Sequence, residues 1–174
     1  MNHEDPTKKL GKTMMWISWV IAIALLVWFF QGTLDKQWNP NKSPTVSLNS
    51  SGLAEVTLKQ NRHGHYVTMG TINSTEVIFL LDTGATNVSI PARIADNLNL
   101  PDLGNHYVQT ANGKVKVYKT VIDQLSIGNI ILYNVAANIN PGMNTKEILL
   151  GMSALKQVEF RQSGKTLYLT EQAN

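Results

Sequence analysis

Apolar residues are spaced in two unlike ways along this sequence. From Met14 to Phe30, the run MMWISWVIAIALLVWFF contains no charged residue. From Glu55 onward, apolar residues come in short runs broken by Gly, Asn, Ser and Pro. The first stretch is about 17 residues, the lower limit for a helix that spans a bilayer. Trp16, Trp19 and Trp28 lie near its ends, where they suit the interfacial belt. A core helix of a soluble protein would carry a polar face. A cleaved signal peptide needs small residues ahead of the cut, and Phe29-Phe30-Gln31-Gly32 does not supply them. We therefore read 14–30 as an uncleaved single-pass transmembrane anchor and 1–13 as a cytoplasmic tail. Lys8, Lys9 and Lys12 precede the anchor, against Lys36 and Lys42 behind it. That bias predicts an inner (cytoplasmic) membrane protein with its C-terminal domain in the periplasm or outside the cell. Residues 31–53 are rich in Asn, Ser, Pro and Gly without sustained periodicity, which predicts a flexible tether.

Residues 54–174 form the expected globular domain. AEVTLKQ and HYVTMGTI alternate as half-buried strands do, and INSTEVIF reads as a turn leading into another strand. Pro91 opens a short helix with Ile94, Ala95 and Leu98 on one face. HYVQTANGKVKVYKT predicts a hairpin with Asn112-Gly113 in a type I′ turn. Gly128-Asn129 and Ser163-Gly164 mark two further turns between apolar runs. EILLGMSAL breaks this rhythm as a strand, a glycine and a short helix. Short strands at this density predict a mostly-β domain, a small closed or sandwich-like barrel.

Composition narrows the chemistry. The 174-residue chain carries a formal charge of +3, and its basic residues are dispersed. No basic stripe is interleaved with aromatics, so no nucleic-acid partner is expected. Phosphate-loop and dinucleotide fingerprints are absent. With no cysteine, disulfides, thiol nucleophiles and thiolate metal sites are excluded together. Arg62-His63-Gly64-His65 places two histidines on alternate positions, too few for a four-ligand metal site, so no metal is expected.

Asp82 raises a different question. It directly follows Val77-Ile78-Phe79-Leu80-Leu81, which reads as a buried strand. A carboxylate there is costly unless it is hydrogen-bonded, paired or used. Asp-Thr-Gly alone also fits an ordinary turn whose Asp accepts backbone N–H bonds.

The wider setting resembles the retropepsin-like aspartic proteases over about Gly64 to Leu169, and within them the membrane-anchored bacterial branch. Asp82-Thr83-Gly84-Ala85 follows an apolar strand, Thr110-Ala111-Asn112-Gly113 forms a hairpin, and Leu149-Leu150-Gly151-Met152-Ser153 closes the motif set. The resemblance implies a mostly-β fold, a small closed barrel of the acid-protease type with one or two short helices. It implies an aspartic endopeptidase with Asp82 catalytic, acting on protein or peptide without a cofactor. In this class two carboxylates roughly 3 Å apart share one proton, because both cannot ionise, and together they activate water. Thr83, Gly84 and Ala85 would form the active-site loop, with Thr83 bonding across a two-fold axis and Gly84 admitting substrate backbone. Ala111, Asn112 and Gly113 would be the flap, and Leu149, Leu150 and Gly151 the support behind the loop. Asp96, Asp102, Asp123, Glu147 and Glu159 lack an equivalent setting. The second acid is then Asp82 of another copy, and a homodimer is expected. Two other readings remain: a catalytically silent peptide-binding or dimerisation module with the peptidase fold, and an adaptor whose Asp82 merely caps a turn.

Overall fold

The computed structural model describes residues 6–110 and 113–172, and the chain divides into two units between Gln37 and Trp38. The described residues of the first all belong to one helix, α1 (Pro6–Trp38, 33 residues). It includes a stretch, Leu10–Trp38, that is long and apolar enough to cross a membrane, with a mean hydropathy of 2.1 in its 18-residue window. Membrane anchors and signal sequences share this form. The helix outruns the expected 14–30 at both ends. Once a helix is nucleated, each added residue gains a hydrogen bond, and Leu34, Lys36 and Gln37 are good helix formers.

The expected tether at 31–53 is corrected on both sides. Residues 31–38 are helical, and the remainder belongs to the β unit. There β1 (Thr45–Leu48) pairs antiparallel with β2 (Ala54–Lys59). Asn41 is the reason this polar stretch is ordered. Its amide N–H donates to the carbonyls of Lys59 (2.9 Å) and Val67 (2.7 Å), and its Oδ1 accepts from Lys59 N (2.7 Å). It is 3% exposed and behaves as a rung between two strands that do not pair with each other.

The main sheet contains β3 (Val67–Ile72), β4 (Thr75–Leu81), β5 (Val88–Pro91), β6 (Asn105–Thr110), β7 (Gly113–Ile127), β8 (Ile130–Asn140) and β9 (Glu147–Leu150). Two short helices interrupt the strands, α2 (Ala92–Asn97) and α3 (Met152–Leu155). The strand order is β3-β4-β9-β5-β8-β7-β6, and Thr71↔Ser126 and Ile72↔Leu125 join β3 to β7. The pairings therefore return on themselves, with β6 outside the ring. A second sheet, β1-β2-β11-β10, uses β10 (Val158–Ser163) and β11 (Thr166–Glu171). The mostly-β architecture with two short helices is the one the sequence predicts.

Alternation decides which side chains enter the core. Ala54, Val56 and Leu58 of β2 point inward, as do Val77 and Phe79 of β4, Val88 and Ile90 of β5, and Leu167 and Leu169 of β11. Phe79 is completely buried, worth about 2–3 kcal/mol by transfer. The strand before Asp82 is thus buried on one face only, since Ile78, Leu80 and Leu81 are half-buried. Turn chemistry follows the sequence at most corners. Asn73 (φ 47°) and Ser74 (φ 69°) join β3 to β4 in left-handed conformation, as a type I′ turn requires. Gly128 (φ 58°) turns β7 into β8, and a Cβ there would lie 2.7 Å from Val46 Cγ1 and 2.9 Å from Val56 Cγ2. That close approach seats the second sheet against the first.

Asn41→Ala removes an acceptor from Lys59 N and a donor from two carbonyls at a buried position. The expected cost is about 2–4 kcal/mol, read as a lower thermal or denaturant midpoint of the β unit. An unchanged midpoint would show that these backbone groups find other partners.

Candidate active site

Asp82 ends β4 because the parallel pairing with β9 stops there. Ile78↔Glu147, Phe79↔Ile148, Leu80↔Leu149 and Leu81↔Leu150 are in register, and Asp82 N then donates to Leu150 O (3.1 Å). On the other side Leu81 N donates to Tyr66 O (3.0 Å). The acid thus leaves a strand that is paired on both sides. Its side chain folds back, and Oδ1 accepts the backbone N–H of Gly84 (2.9 Å), while Ala85 N donates to Asp82 O (3.2 Å). These bonds are an Asx-type turn, and they hold one carboxylate oxygen in place. Asp82 and Ala85 are half-buried, whereas Thr83 and Gly84 are exposed. Gly84 keeps a negative φ, so its conformation is open to other residues. Its constraint is space, because a Cβ would lie 3.1 Å from Asp82 Oδ1.

The loop is strapped from behind by the turn from β9 into α3. Met152 N donates to Ala85 O (2.8 Å), and Ser153 N donates to Thr86 O (2.9 Å). Ser153 Oγ accepts from Val88 N (3.0 Å) and donates to Ala136 O (2.7 Å), tying β5, α3 and β8 together. Gly151 makes this approach feasible. A Cβ at Gly151 would clash with Asn87 O and lie 2.7 Å from Ala85 O, so any side chain pushes the strap off the loop. Leu150 and Ile148 are buried and Leu149 is half-buried. Leu149, Leu150 and Gly151 thus lie on the strand and turn directly behind the loop. Sequence reasoning missed the polar half of that support, Met152 and Ser153. A serine in the first turn of a helix just after a buried strand was the readable signal.

The expected flap is the β6–β7 hairpin. Its ladder runs from Asn105↔Tyr118 to Thr110↔Gly113. β8 pairs with β7 only from Tyr118 onward, so Gly113–Val117 pairs with β6 alone and extends as a two-stranded arm. Gly113 has φ +105° and its carbonyl accepts from Thr110 Oγ1 (2.9 Å). The pairing closes one residue earlier than the Asn112-Gly113 turn requires. The two-residue connection is Ala111-Asn112, and both lie outside the described residues.

The other acids sit apart in kind. Asp102 Oδ1 accepts from Gly104 N (2.8 Å) in an exposed turn, and Asp96, Asp123 and Glu159 are exposed. Asn61 Oδ1 accepts the backbone N–H of both His63 (2.9 Å) and His65 (3.0 Å), so their spacing serves a tight turn. Among the described residues no group of three His, Cys, Asp or Glu is placed to hold a metal.

Residues 68–157 match the family described as "gag-polyprotein putative aspartyl protease". That span holds the Asp82 loop, the hairpin and the strap. The chain belongs to the retropepsin-like aspartic protease family. It is 31% identical over 121 residues to an uncharacterized protein from the cobV 5′ region of a Sinorhizobium species, covering 68% of this chain and 52% of that protein. It is 25% identical over 123 residues to an uncharacterized protein of Rickettsia prowazekii, covering 69% and 52%. The chain thus spans about half the length of these curated relatives. In fold it is similar to the crystal structure of a retropepsin-like aspartic protease from Rickettsia conorii, with a TM-score of 0.56 and 24% identity over 74% of this chain and 95% of that one.

Tyr66, whose carbonyl anchors Leu81, gives a measurable reporter at the base of this site. Its hydroxyl is buried and has no hydrogen-bond partner among the described residues. Burial raises its pKa above the ordinary 10.0. The folded chain keeps the phenol neutral where the unfolded chain ionises it, so this contribution to stability is whole below about pH 10 and is lost above it. Tyr66→Phe is expected to lessen alkaline destabilisation and to leave stability at neutral pH equal or higher. A variant that unfolds at the same alkaline pH as wild type would contradict this.

Proposed function

We propose that this protein is a membrane-anchored aspartic endopeptidase whose active site is completed by Asp82 from two subunits. The observation that carries this reading is a single Asp-Thr-Gly loop, braced from both flanking strands, that supplies one acid per chain. A peptidase of this class needs two. One carboxylate, ionised, takes a proton from water, while its protonated partner polarises the scissile carbonyl. The Asx turn through Gly84 fixes Asp82 so that little reorganisation is needed as charge moves. Thr83 and Gly84, exposed in one chain, are the surface two such loops would present to each other and to substrate backbone. The β6–β7 arm would close over a bound peptide and exclude water.

The silent-module reading has one observation in its favour. β11, the terminal strand, pairs with β10 on one side and β2 on the other within the same chain. It has no free edge with which to interleave with a second copy.

A mixing experiment separates the two. Asp82→Asn is nearly isosteric yet cannot share the proton, so it abolishes hydrolysis with the fold intact. When wild type is mixed with this variant under free subunit exchange, activity is expected to fall as the square of the wild-type fraction. The rate profile of wild type against pH is expected to be a bell, since only the singly protonated pair works. A linear fall in the mixture would mean that each chain acts alone. Cleavage retained by pure Asp82→Asn would remove Asp82 from the chemistry altogether.

In the same reading α1 stays attached and holds the β unit at the inner membrane on its periplasmic or outer side. The mature protein is expected to fractionate with membranes after a high-salt wash. Intact mass showing an amino terminus beyond Phe30 would make α1 a signal sequence.

A further inference from the structure

The second sheet lies wholly outside the 68–157 span shared with the family. Its outer strands are β1 and β10, each paired on one side only among the described residues. Exposed sheet edges invite pairing with another chain, and proteins commonly blunt them with charge. β10 carries two charges, but in an order that does something more selective.

The hairpin geometry shows which β10 groups face outward. Ser163↔Thr166 closes a two-residue loop, and such a loop is flanked by a hydrogen-bonded pair. Bonded and non-bonded pairs then alternate along the ladder. Phe160 opposite Leu169 is a non-bonded pair, so its own N–H and C=O point toward the free edge. The same holds for Val158 and Gln162. Phe160 is 44% exposed beside the buried Leu169, and Glu159 and Arg161 flank it on the opposite face, both exposed. The Arg161 guanidinium rests on the Tyr168 ring, 4.4 Å from its centroid, which steadies its direction.

We propose that the free edge of β10 is a self-pairing surface on which a second copy of this chain docks, antiparallel, with the two-fold axis at Phe160. In that register Phe160 exchanges backbone bonds with Phe160 of the second copy, and Val158 does so with Gln162 of the other chain. Glu159 then stands opposite Arg161 of the second copy, and the contact repeats by symmetry. These are non-bonded pairs, where side chains approach most closely. Moving the axis one residue either way sets Glu159 against Glu159, or Arg161 against Arg161. Like charges directly opposite are unfavourable, so the charge order selects one register from three. The edge is also close to the site by chain path. β10 begins at Val158, just after α3, and the first turn of α3 is bonded to the Asp82 loop. This inference rests on the reading that the site needs two chains, and it names the surface that brings them together.

The absence of native cysteine gives a clean test with the full chain in detergent micelles. Phe160→Cys places one thiol per chain at the axis, where a bonded pair has a Cα separation of about 5.5 Å, within disulfide reach. Mild oxidation is expected to yield a covalent dimer, and Val46→Cys on the β1 edge is expected not to. Charge reversal supplies the second arm, with sedimentation as the readout and circular dichroism confirming the fold. Glu159→Arg or Arg161→Glu alone is expected to weaken self-association about tenfold or more, roughly 1.4 kcal/mol. The double variant, which restores opposite charges in the same register, is expected to recover most of it. Cross-linking at Val46 instead of Phe160 would overturn the surface. So would a dimer indifferent to the charge swaps; the shared-Asp82 reading would then survive if the mixing curve stayed quadratic. A chain that is monomeric, with a linear mixing curve, would overturn both.

Discussion

Everything at the candidate site depends on how close the β9–α3 turn comes to the Asp82 loop. Asp82 N bonds to Leu150 O, and Met152 N bonds to Ala85 O, only one residue on either side of Gly151. The carbonyls of the loop are satisfied by the first N–H groups of α3, which a short helix leaves without internal partners. Loop and helix thus solve each other's unpaired polar groups, and the contact is short enough that no side chain fits between them. The apolar neighbours follow from the same geometry. Ile148 and Leu150 must face the core so that their backbone lies flat against β4, and Phe79 fills the space beneath. A carboxylate at the end of such a strand is held by backbone rather than by long flexible side chains, which would suit the proposed two-chain site, where it must not drift from a second acid.

Much of this was legible because the deciding interactions are local or periodic. The alternation of AEVTLKQ puts Val56 and Leu58 on one face and the apolar run before Asp82 marks Phe79, and all three lie in the core. Asn-Ser and Gly-Asn pairs marked turns whose backbone requires φ above zero. Asp82 was readable as a problem before it was readable as a site, since an acid after five apolar residues demands a partner. The carboxylate's partner is the backbone N–H of Gly84, and the residue's own N–H donates to the carbonyl of Leu150. Only the fold brings the second of these near.

What stayed hidden has a common cause. Residues 39–53 look like a tether, since they are held by polar bonds that no periodicity announces, chief among them those of Asn41 to strands 18 and 26 residues away. Nothing periodic announces a single polar rung, and β1 itself is exposed at every position. Helix α1 outran its apolar segment because helix propagation is indifferent to polarity while membrane burial is not. The β6–β7 pairing closes one residue earlier than the Asn-Gly pair alone predicts, because that pair sets only a preference for φ above zero. The register is set by the whole ladder from Asn105↔Tyr118 onward.

The second sheet changes what a two-chain site requires. It takes two strands from before the Asp82 loop and two from after it, and it interleaves them as β1-β2-β11-β10. Both ends of the β unit are thereby consumed within one chain. β11 contributes Leu167 and Leu169 to the core and cannot be lent to a partner without exposing them. Each unit is therefore able to fold before it meets a second copy, and association has to use surfaces left over after folding. That separates folding from assembly. Under the two-chain, membrane-anchored reading proposed above, a unit that folds alone would stay inactive until it met another, and confinement to a membrane plane would set how often it does.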